Sequence, residues 1–219
     1  MQPSQGIASV ANQQRILFDH KWYSATYMAN NAGMPNAGIN VDNAGNPTTA
    51  HTGRPVKSDE ALRHFLEIGR LAGHNPHPLF FTAYYLSQLP PGQMPPENPL
   101  RHYIETGAAL GMNPCPLFDP AWYSERYKVA ETGLAPLVHY IRNGVPERLD
   151  PNEYFDAAAY EAEHAGAIKG YAYALLHYLF TAEKGLQNPS SRFCTKDYLE
   201  PFPYTHLTLP TQSTVPLAL

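Results

Sequence analysis

The sequence predicts an all-α protein made of tandem helical hairpins, each about 38 residues long. Three observations predict this fold class: two sets of landmark residues recur with one period, each recurrence begins with a helix-start signal, and a glycine follows the second landmark at a fixed distance. Helices as short as these are marginal on their own in water, so we expect the hairpins to stack. A short solenoid and a compact bundle both meet that requirement, and the sequence leaves both open.

The two landmarks are a phenylalanine and tyrosine pair and a histidine. The pairs are Phe18 with Tyr23, Phe80 with Tyr85, Phe118 with Tyr123, and Phe155 with Tyr160. The histidines are His64, His102, His139 and His177, and Tyr140 and Tyr178 directly follow the last two. From the second pair and the first histidine onward, both sets advance by about 38 residues per step. Two independent landmarks that keep one period indicate repeated units rather than coincidence.

The first helix of each unit is predicted to start within the phenylalanine and tyrosine pair. In the third unit Asp119 precedes Pro120, which places a favourable N-cap before the residue best tolerated at the first helical position. Phe118 then precedes the cap and Tyr123 is the fourth helical residue, a spacing that brings the two rings together as a hydrophobic staple. Tyr127 continues the same face, so we expect a helix of two to three turns.

The second helix is predicted to start near Pro99 in the second unit and near Pro136 in the third. Each proline is followed by a leucine, a tyrosine and an isoleucine at spacings that share one helical face. Gly107 and Gly144 follow the landmark histidines at a constant distance, and we expect them to supply left-handed C-caps. The fourth unit departs from this pattern, since Ala182 stands at the glycine position.

The repeat defines the expected domain organisation. Residues 1–16 form an N-terminal extension, residues 17–198 form the repeat domain, and residues 199–219 match no repeat position and are expected to be unstructured or artefactual. The units span residues 17–78, 79–116, 117–154 and 155–192, with a polar loop inserted at 29–59 and a partial fifth unit at 193–198. Because the fifth unit lacks its second half, we expect the natural protein to continue further.

Composition argues against several classes of function. The formal net charge of -4 gives no electrostatic reason to expect nucleic acid or an anionic membrane as a partner. No run of about 18 apolar residues predicts a membrane span, and the lack of a signal-peptide pattern favours the cytoplasm without assigning a compartment. Cys115 and Cys194 are too few and too far apart to predict a disulfide framework or a thiolate metal site.

The histidines are the most tempting candidates for chemistry. Equivalent positions of successive units are separated by at least a helix-packing distance of about 8 to 10 Å, too far to share one metal ion. We therefore expect the landmark histidines to hydrogen-bond toward a neighbouring unit or a helix end, and His74 and His77 to face solvent. Residues 40–46 are rich in oxygen ligands but lack the final acidic residue of a calcium loop.

Recognised catalytic motifs are also missing from the sequence. It contains no phosphate-binding loop, G-x-S-x-G, H-E-x-x-H or C-x-x-C motif, and Asp119 and its equivalents fall at helix caps. The sequence therefore predicts no catalytic, cofactor-binding or metal-binding residue and no cofactor. The landmark residues named above are predicted to be structural.

Residues 113–123, followed by residues 136–144, resemble bacterial tandem repeats that read N-P-x-P-L-F-D-x-x-x-Y and P-L-x-H-Y-x-x-x-G. Such repeats are found beside glycosyltransferase domains of polysaccharide-synthesis proteins and in some large surface proteins. The resemblance covers about residues 17–198 and departs at Phe81, where the cap aspartate is missing, and at Ala182. It implies a repeat module whose catalytic neighbour lies outside this chain.

Three functional hypotheses follow from the resemblance and the composition. In the first, the module is a non-catalytic scaffold or interaction surface for a protein partner or an attached glycosyltransferase domain. In the second, its aromatic residues bind a glycan by stacking, which requires Trp22, Tyr84 and Trp122 to point outward. In the third, the chain is a fragment of a glycosyltransferase whose catalytic domain lies outside it. An active site within this chain would instead require carboxylates or histidines that converge in a cleft.

Overall fold

The computed structural model describes residues 9–28, 56–185 and 187–190, apart from the side chains of 182–185. These residues are mostly helical and include no β-strand, so the predicted all-α class is confirmed. Isolated bridges join His77 with Phe80 and Cys115 with Phe118. Within these ranges no helix is both long enough and apolar enough to cross a membrane.

The helices are short and evenly distributed along the described ranges. They are α1 (Val10–Leu17), α2 (His20–Tyr27), α3 (Ser58–His64), α4 (Thr82–Ser87), α5 (Pro99–His102), α6 (Pro120–Tyr127), α7 (Pro136–His139), α8 (Ala157–His164) and α9 (Ala174–Gly185). Three of them continue directly into π-helical segments, which are π1 (Phe65–Gly69), π2 (Tyr103–Gly107) and π3 (Tyr140–Gly144). Single 3₁₀ turns occupy Val129–Thr132 and Ile168–Gly170.

The first helices of the hairpins start where the sequence predicts. Asp119 caps α6 through two backbone N–H groups, and Pro120 is the first residue of that helix. Asp19 and Asp156 cap α2 and α8 with their side chains, whereas Phe81 leaves α4 without a side-chain cap. A missing cap is consistent with α4 being the shortest of these four helices, because more of its N–H groups need other partners.

Each first helix packs against the helix that follows it. The packed pairs are α2 with α3, α4 with α5, α6 with α7, and α8 with α9. Pro99 and Pro136 are the first residues of α5 and α7, as predicted. In all four hairpins the landmark phenylalanine and tyrosine rings are buried with centroids 5.1 or 5.2 Å apart, so the expected staple contact is present. Such aromatic pairs add about 0.5–1.5 kcal/mol beyond the area that they bury.

The predicted position of the left-handed C-cap was wrong. Gly107 and Gly144 end π2 and π3 without a positive φ, and the left-handed residues lie four positions later, at Gly111 (φ 72°) and Arg148 (φ 55°). The amide of Met112 donates to the carbonyl of Gly107 at 2.9 Å, which closes the helix end around Gly111. The sequence spacing shows that a glycine recurs at this position. It does not show whether the glycine is there to adopt a positive φ angle or because a side chain would not fit.

Helix α1 lies almost entirely within the stretch assigned to an N-terminal extension. Ser9 caps it, and it packs across α5 and π2 on one side and α7 and π3 on the other. The buried Gln13 side chain accepts from the amide of Ala135 at 2.8 Å and donates to the carbonyl of Gly133 at 3.2 Å. Helix α1 is therefore an integral part of the packed structure and bridges two hairpins.

Candidate functional site

Each landmark histidine hydrogen-bonds to the landmark tyrosine of its own hairpin. The distances between the tyrosine hydroxyl and histidine Nδ1 are 2.9 Å for Tyr23 and His64, 2.6 Å for Tyr85 and His102, 3.0 Å for Tyr123 and His139, and 2.8 Å for Tyr160 and His177. The expectation of a partner in a neighbouring unit or at a helix end is corrected by this geometry. Because each bond joins the first helix to the second, it fixes how the two helices lie against each other.

Burial shifts the pKa of the four landmark tyrosines and of two landmark histidines. Desolvation raises the pKa of all four landmark tyrosines and lowers the pKa of His139 and His177. The phenols therefore keep their protons near neutral pH, and the folded state favours the neutral imidazoles of His139 and His177. In the fourth pair the Tyr160 hydroxyl also lies 2.5 Å from Gln187 Oε1.

The first hairpin adds a second histidine to this arrangement. His74 Nδ1 lies 3.1 Å from the Tyr23 hydroxyl, and the His74 ring stacks on Tyr27 with centroids 4.0 Å apart. Desolvation and the nearby His64 lower the pKa of His74. In the part of the chain that the structure describes, no three His, Cys, Asp or Glu side chains are arranged to hold a metal ion.

The landmark tyrosine also accounts for the landmark glycine. A Cβ atom placed on Gly69, Gly107 or Gly144 would collide with the tyrosine hydroxyl of the same hairpin. Each of these glycines ends a π-helical segment, whereas α9, with Ala182 at the corresponding position, is α-helical throughout Ala174–Gly185. The glycine and the π segment thus occur together, and the tyrosine hydroxyl fills the space that a side chain would need.

A linker position that the sequence analysis did not single out stabilises the entry to three hairpins. It is the residue after the proline of each Asn-Pro or Asp-Pro linker, occupied in turn by His77, Cys115, Asn152 and Ser190. The first three side chains each accept a hydrogen bond from the backbone N–H two residues later. A recurring side-chain acceptor beside a proline was the sequence signal available for this role.

His77 contradicts the prediction that it faces solvent. Its side chain is buried with 4% exposure, its Nδ1 accepts from the Leu79 amide at 3.0 Å, and desolvation lowers its pKa to about 4. His74 is half-buried. The prediction is wrong for His77 because Pro76, His77 and Pro78 are all buried, although a linker beside prolines usually lies at the surface.

The prolines of the same linkers accept backbone hydrogen bonds from the helix caps. The carbonyls of Pro76, Pro114, Pro151 and Pro189 accept from the amides of Asp19, Phe81, Asp119 and Asp156 at 3.1, 2.9, 3.2 and 3.0 Å. Each bond joins the start of one hairpin to the linker that leads out of it. This recurring contact gives the prolines of these linkers a structural role.

The aromatic residues required for glycan stacking are only partly accessible. Trp22 is buried with 9% exposure, and Tyr84 and Trp122 are half-buried. The requirement that all three rings point outward is therefore not met. Residues 40–46, Cys194 and the partial fifth unit lie outside the described residues.

Two grooves lie where successive hairpins meet. One, of about 460 Å³, lies between the first and second hairpins and includes Arg70, Glu97 and Arg101 in its lining. The other, of about 600 Å³, lies between the second and third hairpins beside α1, and Gln13 and Leu110 contribute to its lining. We call them the first groove and the middle groove.

No family model matches the chain, and neither curated proteins nor solved structures provide a significant match.

Proposed function

We propose that this chain is a non-catalytic helical-repeat module that serves as a scaffold or interaction surface for a protein of bacterial envelope-polysaccharide synthesis. The observation that carries the proposal is that its aspartate and histidine side chains form hydrogen bonds within the protein. Asp19, Asp119 and Asp156 are hydrogen-bonded to helix starts, and the four landmark histidines are hydrogen-bonded to tyrosines. These groups act in holding the hairpins together.

The proposed architecture is a tandem arrangement of the four hairpins in a compact bundle rather than an extended solenoid. The recurrence of the tyrosine to histidine bond and of the cap to proline bond supports tandem units. Helix α1 supports compactness, because it crosses the second helices of two hairpins.

The surface offered to a partner includes the grooves where hairpins meet. A stack of similar units presents similar grooves at successive junctions, and differences in side chains among them allow each to bind something different. The resemblance to repeats beside glycosyltransferase domains makes such a domain the leading candidate partner, whether attached to this chain or separate.

Glycan binding is the second candidate function. The half-burial of Tyr84 and Trp122 favours it, because each residue keeps part of its surface open to solvent. The burial of Trp22 counts against it. This function predicts that replacing Tyr84 and Trp122 with alanine removes binding to a sugar.

One experiment separates the two proposals. The full chain is immobilised and titrated, by biolayer interferometry, with the glycosyltransferase domain encoded in or beside the same gene and with a panel of bacterial polysaccharides. We expect micromolar or tighter binding of the protein domain, and no change when Tyr84 and Trp122 are both replaced with alanine. Polysaccharide binding that this double substitution abolishes would contradict the scaffold proposal and support the glycan one.

A further inference from the structure

The junctions on either side of the middle groove are bridged by ion pairs. Between the first and second hairpins, an Arg70 nitrogen lies 3.0 Å from a carboxylate oxygen of Glu97. Between the third and fourth hairpins, Arg148 Nε lies 2.6 Å from Glu161 Oε2. Both pairs are partly exposed and contribute little to stability, but they place charge across each junction.

The middle junction carries none of these charges. When positions are counted from the landmark glycine, proline and tyrosine of each hairpin, the corresponding residues are Ala108 for Arg70, Leu134 for Glu97, Gly111 for Arg148 and Ser124 for Glu161. All four of these residues line the middle groove, and none of the residues lining it carries a charge. The loss of charge at four separate positions leaves one junction suited to an apolar occupant.

The lining of the middle groove is aliphatic rather than aromatic. The half-buried Ile104 and Leu134 contribute branched side chains, and Leu110 stands beside them with 70% of its surface exposed. A volume of about 600 Å³ is within the range of about 300 to 1,000 Å³ typical of binding pockets. The groove can therefore accept several aliphatic side chains at once, with Leu110 as a further contact at its edge.

Helix α1 shows what kind of element this face accepts. It is a helix of eight residues that lies across α5, π2, α7 and π3, and its Gln13 forms part of the groove wall. An uncharged side chain of α1 thus satisfies the backbone groups of Gly133 and Ala135 next to the groove. A second helix lying beside α1 would meet the same uncharged surface.

We infer that the middle groove docks a short amphipathic helix of a protein partner, whose contacting face carries aliphatic side chains and no charge. This inference rests on the proposed interaction function and gives that function a specific surface. Docking would follow the helix-in-groove mode, in which aliphatic side chains on successive turns of one face enter a groove. The uncharged lining would select against a helix whose contacting face carries a lysine or glutamate, because that charge would lose its hydration without gaining a partner.

The test uses the full chain and two synthetic fluorescent peptides. The first peptide forms a helix of about four turns with leucines on one face and uncharged residues at the borders of that face. The second has the same composition with its leucines distributed around the helix. Fluorescence anisotropy is expected to show micromolar binding of the first peptide and at least about tenfold weaker binding of the second.

A charge transplant provides the matched variant. The double substitution Ala108→Arg with Leu134→Glu would install at the middle junction the ion pair seen between Arg70 and Glu97, and we expect it to weaken binding by at least about tenfold. The control, Leu71→Glu with Ala72→Arg, adds the same two charges at exposed positions outside the groove and is expected to bind like the parent chain. The milder Leu110→Gln, at an exposed position, is expected to weaken binding about threefold or more and covers the case in which the double variant fails to fold.

Several results would overturn the inference. Equal binding of the two peptides, or undiminished binding to both groove variants, would show that the middle groove is not the docking surface. Binding of cis-parinaric acid but of neither peptide, lost in Ala108→Arg with Leu134→Glu, would assign the groove to a lipid chain. Self-association that the groove variants abolish would assign it to a second copy. A glycosyltransferase domain that binds the groove variants normally would leave the scaffold function standing and place its surface elsewhere.

Discussion

One tyrosine in each of the first three hairpins makes three contacts, two of which join the two helices of its hairpin. In the second hairpin the Tyr85 ring packs on Phe80, its hydroxyl binds His102, and its hydroxyl also occupies the space above Gly107. The ring contact was predictable because the phenylalanine and tyrosine lie in one local motif. The other two contacts join residues of different helices, and a repeat period does not say how those helices face each other.

Replacing Gly107 with alanine should destabilise the protein. The added Cβ would collide with the Tyr85 hydroxyl, which cannot withdraw without breaking its bond to His102. We expect the free energy of unfolding to fall by about 1–3 kcal/mol, as for other overpacked sites. Urea denaturation followed by circular dichroism measures this change.

Two further variants test the cause of that loss. Gly166→Ala introduces a Cβ with no atom within 4 Å, so its effect should be small or favourable. Tyr85→Phe in the Gly107→Ala background removes the obstructing oxygen, so the two losses should be less than additive. Strict additivity would contradict a collision between these two residues.

The buried His77 should make stability fall in acid. Its folded-state pKa of about 4 lies below the usual value of about 6.5. The stability from burying a neutral imidazole is therefore fully present above about pH 6.5 and is lost as pH falls from there toward 4. His77→Asn should preserve the turn, because Asn152 accepts the same backbone hydrogen bond at the corresponding position.

The measurement is the free energy of unfolding of His77→Asn and of the parent chain between pH 7 and pH 4. The parent should lose more stability over this interval than the variant. Some acid sensitivity should remain in the variant, because burial also lowers the pKa of His74, His139 and His177. Parallel curves would show that His77 does not contribute to the acid sensitivity.

Among the elements, helix starts were predictable and helix ends were not. Pro99, Pro120 and Pro136 each stand at the first position of a helix, as a local rule requires. The change from α to π geometry after His64, His102 and His139 has no local signature of that kind. It accompanies the packing of a tyrosine from the other helix against the glycine.

The cap of α6 should contribute measurably to stability. Asp119 accepts from the amides of Ala121 and Trp122 at 3.0 and 2.9 Å. Replacing it with alanine leaves both amides without this partner, so we expect a loss of about 1 kcal/mol in thermal or urea unfolding. Asp119→Asn is the matched control, since asparagine caps about as well as aspartate, and it should cost little. Equal losses for the two variants would point to the charge of Asp119 rather than its cap bonds.

For the whole molecule, the sequence predicted hairpins but not the helix that spans them. Helix α1 contains no landmark, so nothing in the period assigned it to the packed structure. Its buried Gln13 reaches a turn more than a hundred residues away in sequence, and no local pattern predicts such a partner. The middle groove was equally unpredictable from the sequence, because its shape depends on which hairpins are in contact and on where α1 packs.

Removing the Gln13 side chain should loosen α1 from the bundle. Gln13→Ala leaves the buried amide of Ala135 without its partner, which costs about 1–3 kcal/mol. Gln14→Ala, one residue along the same helix, is the control and should have little effect. Hydrogen exchange should show faster exchange at Ala135 and in α1 in the first variant alone. Unchanged protection at both places would mean that this bond does not anchor the helix.

The thiol of Cys115 can report on how the hairpins separate. It occupies the linker position that is filled in the other linkers by His77, Asn152 and Ser190. Cys115 is free and fully buried, and burial raises its pKa to about 12. It can therefore react with a thiol reagent only when the linker between the second and third hairpins becomes exposed to solvent. In the Cys194→Ser variant, the rate at which a thiol reagent labels Cys115 therefore measures how often the second and third hairpins separate. If labelling is faster than global unfolding, the contact between these two hairpins opens locally; if the two rates are equal, it opens only when the whole protein unfolds.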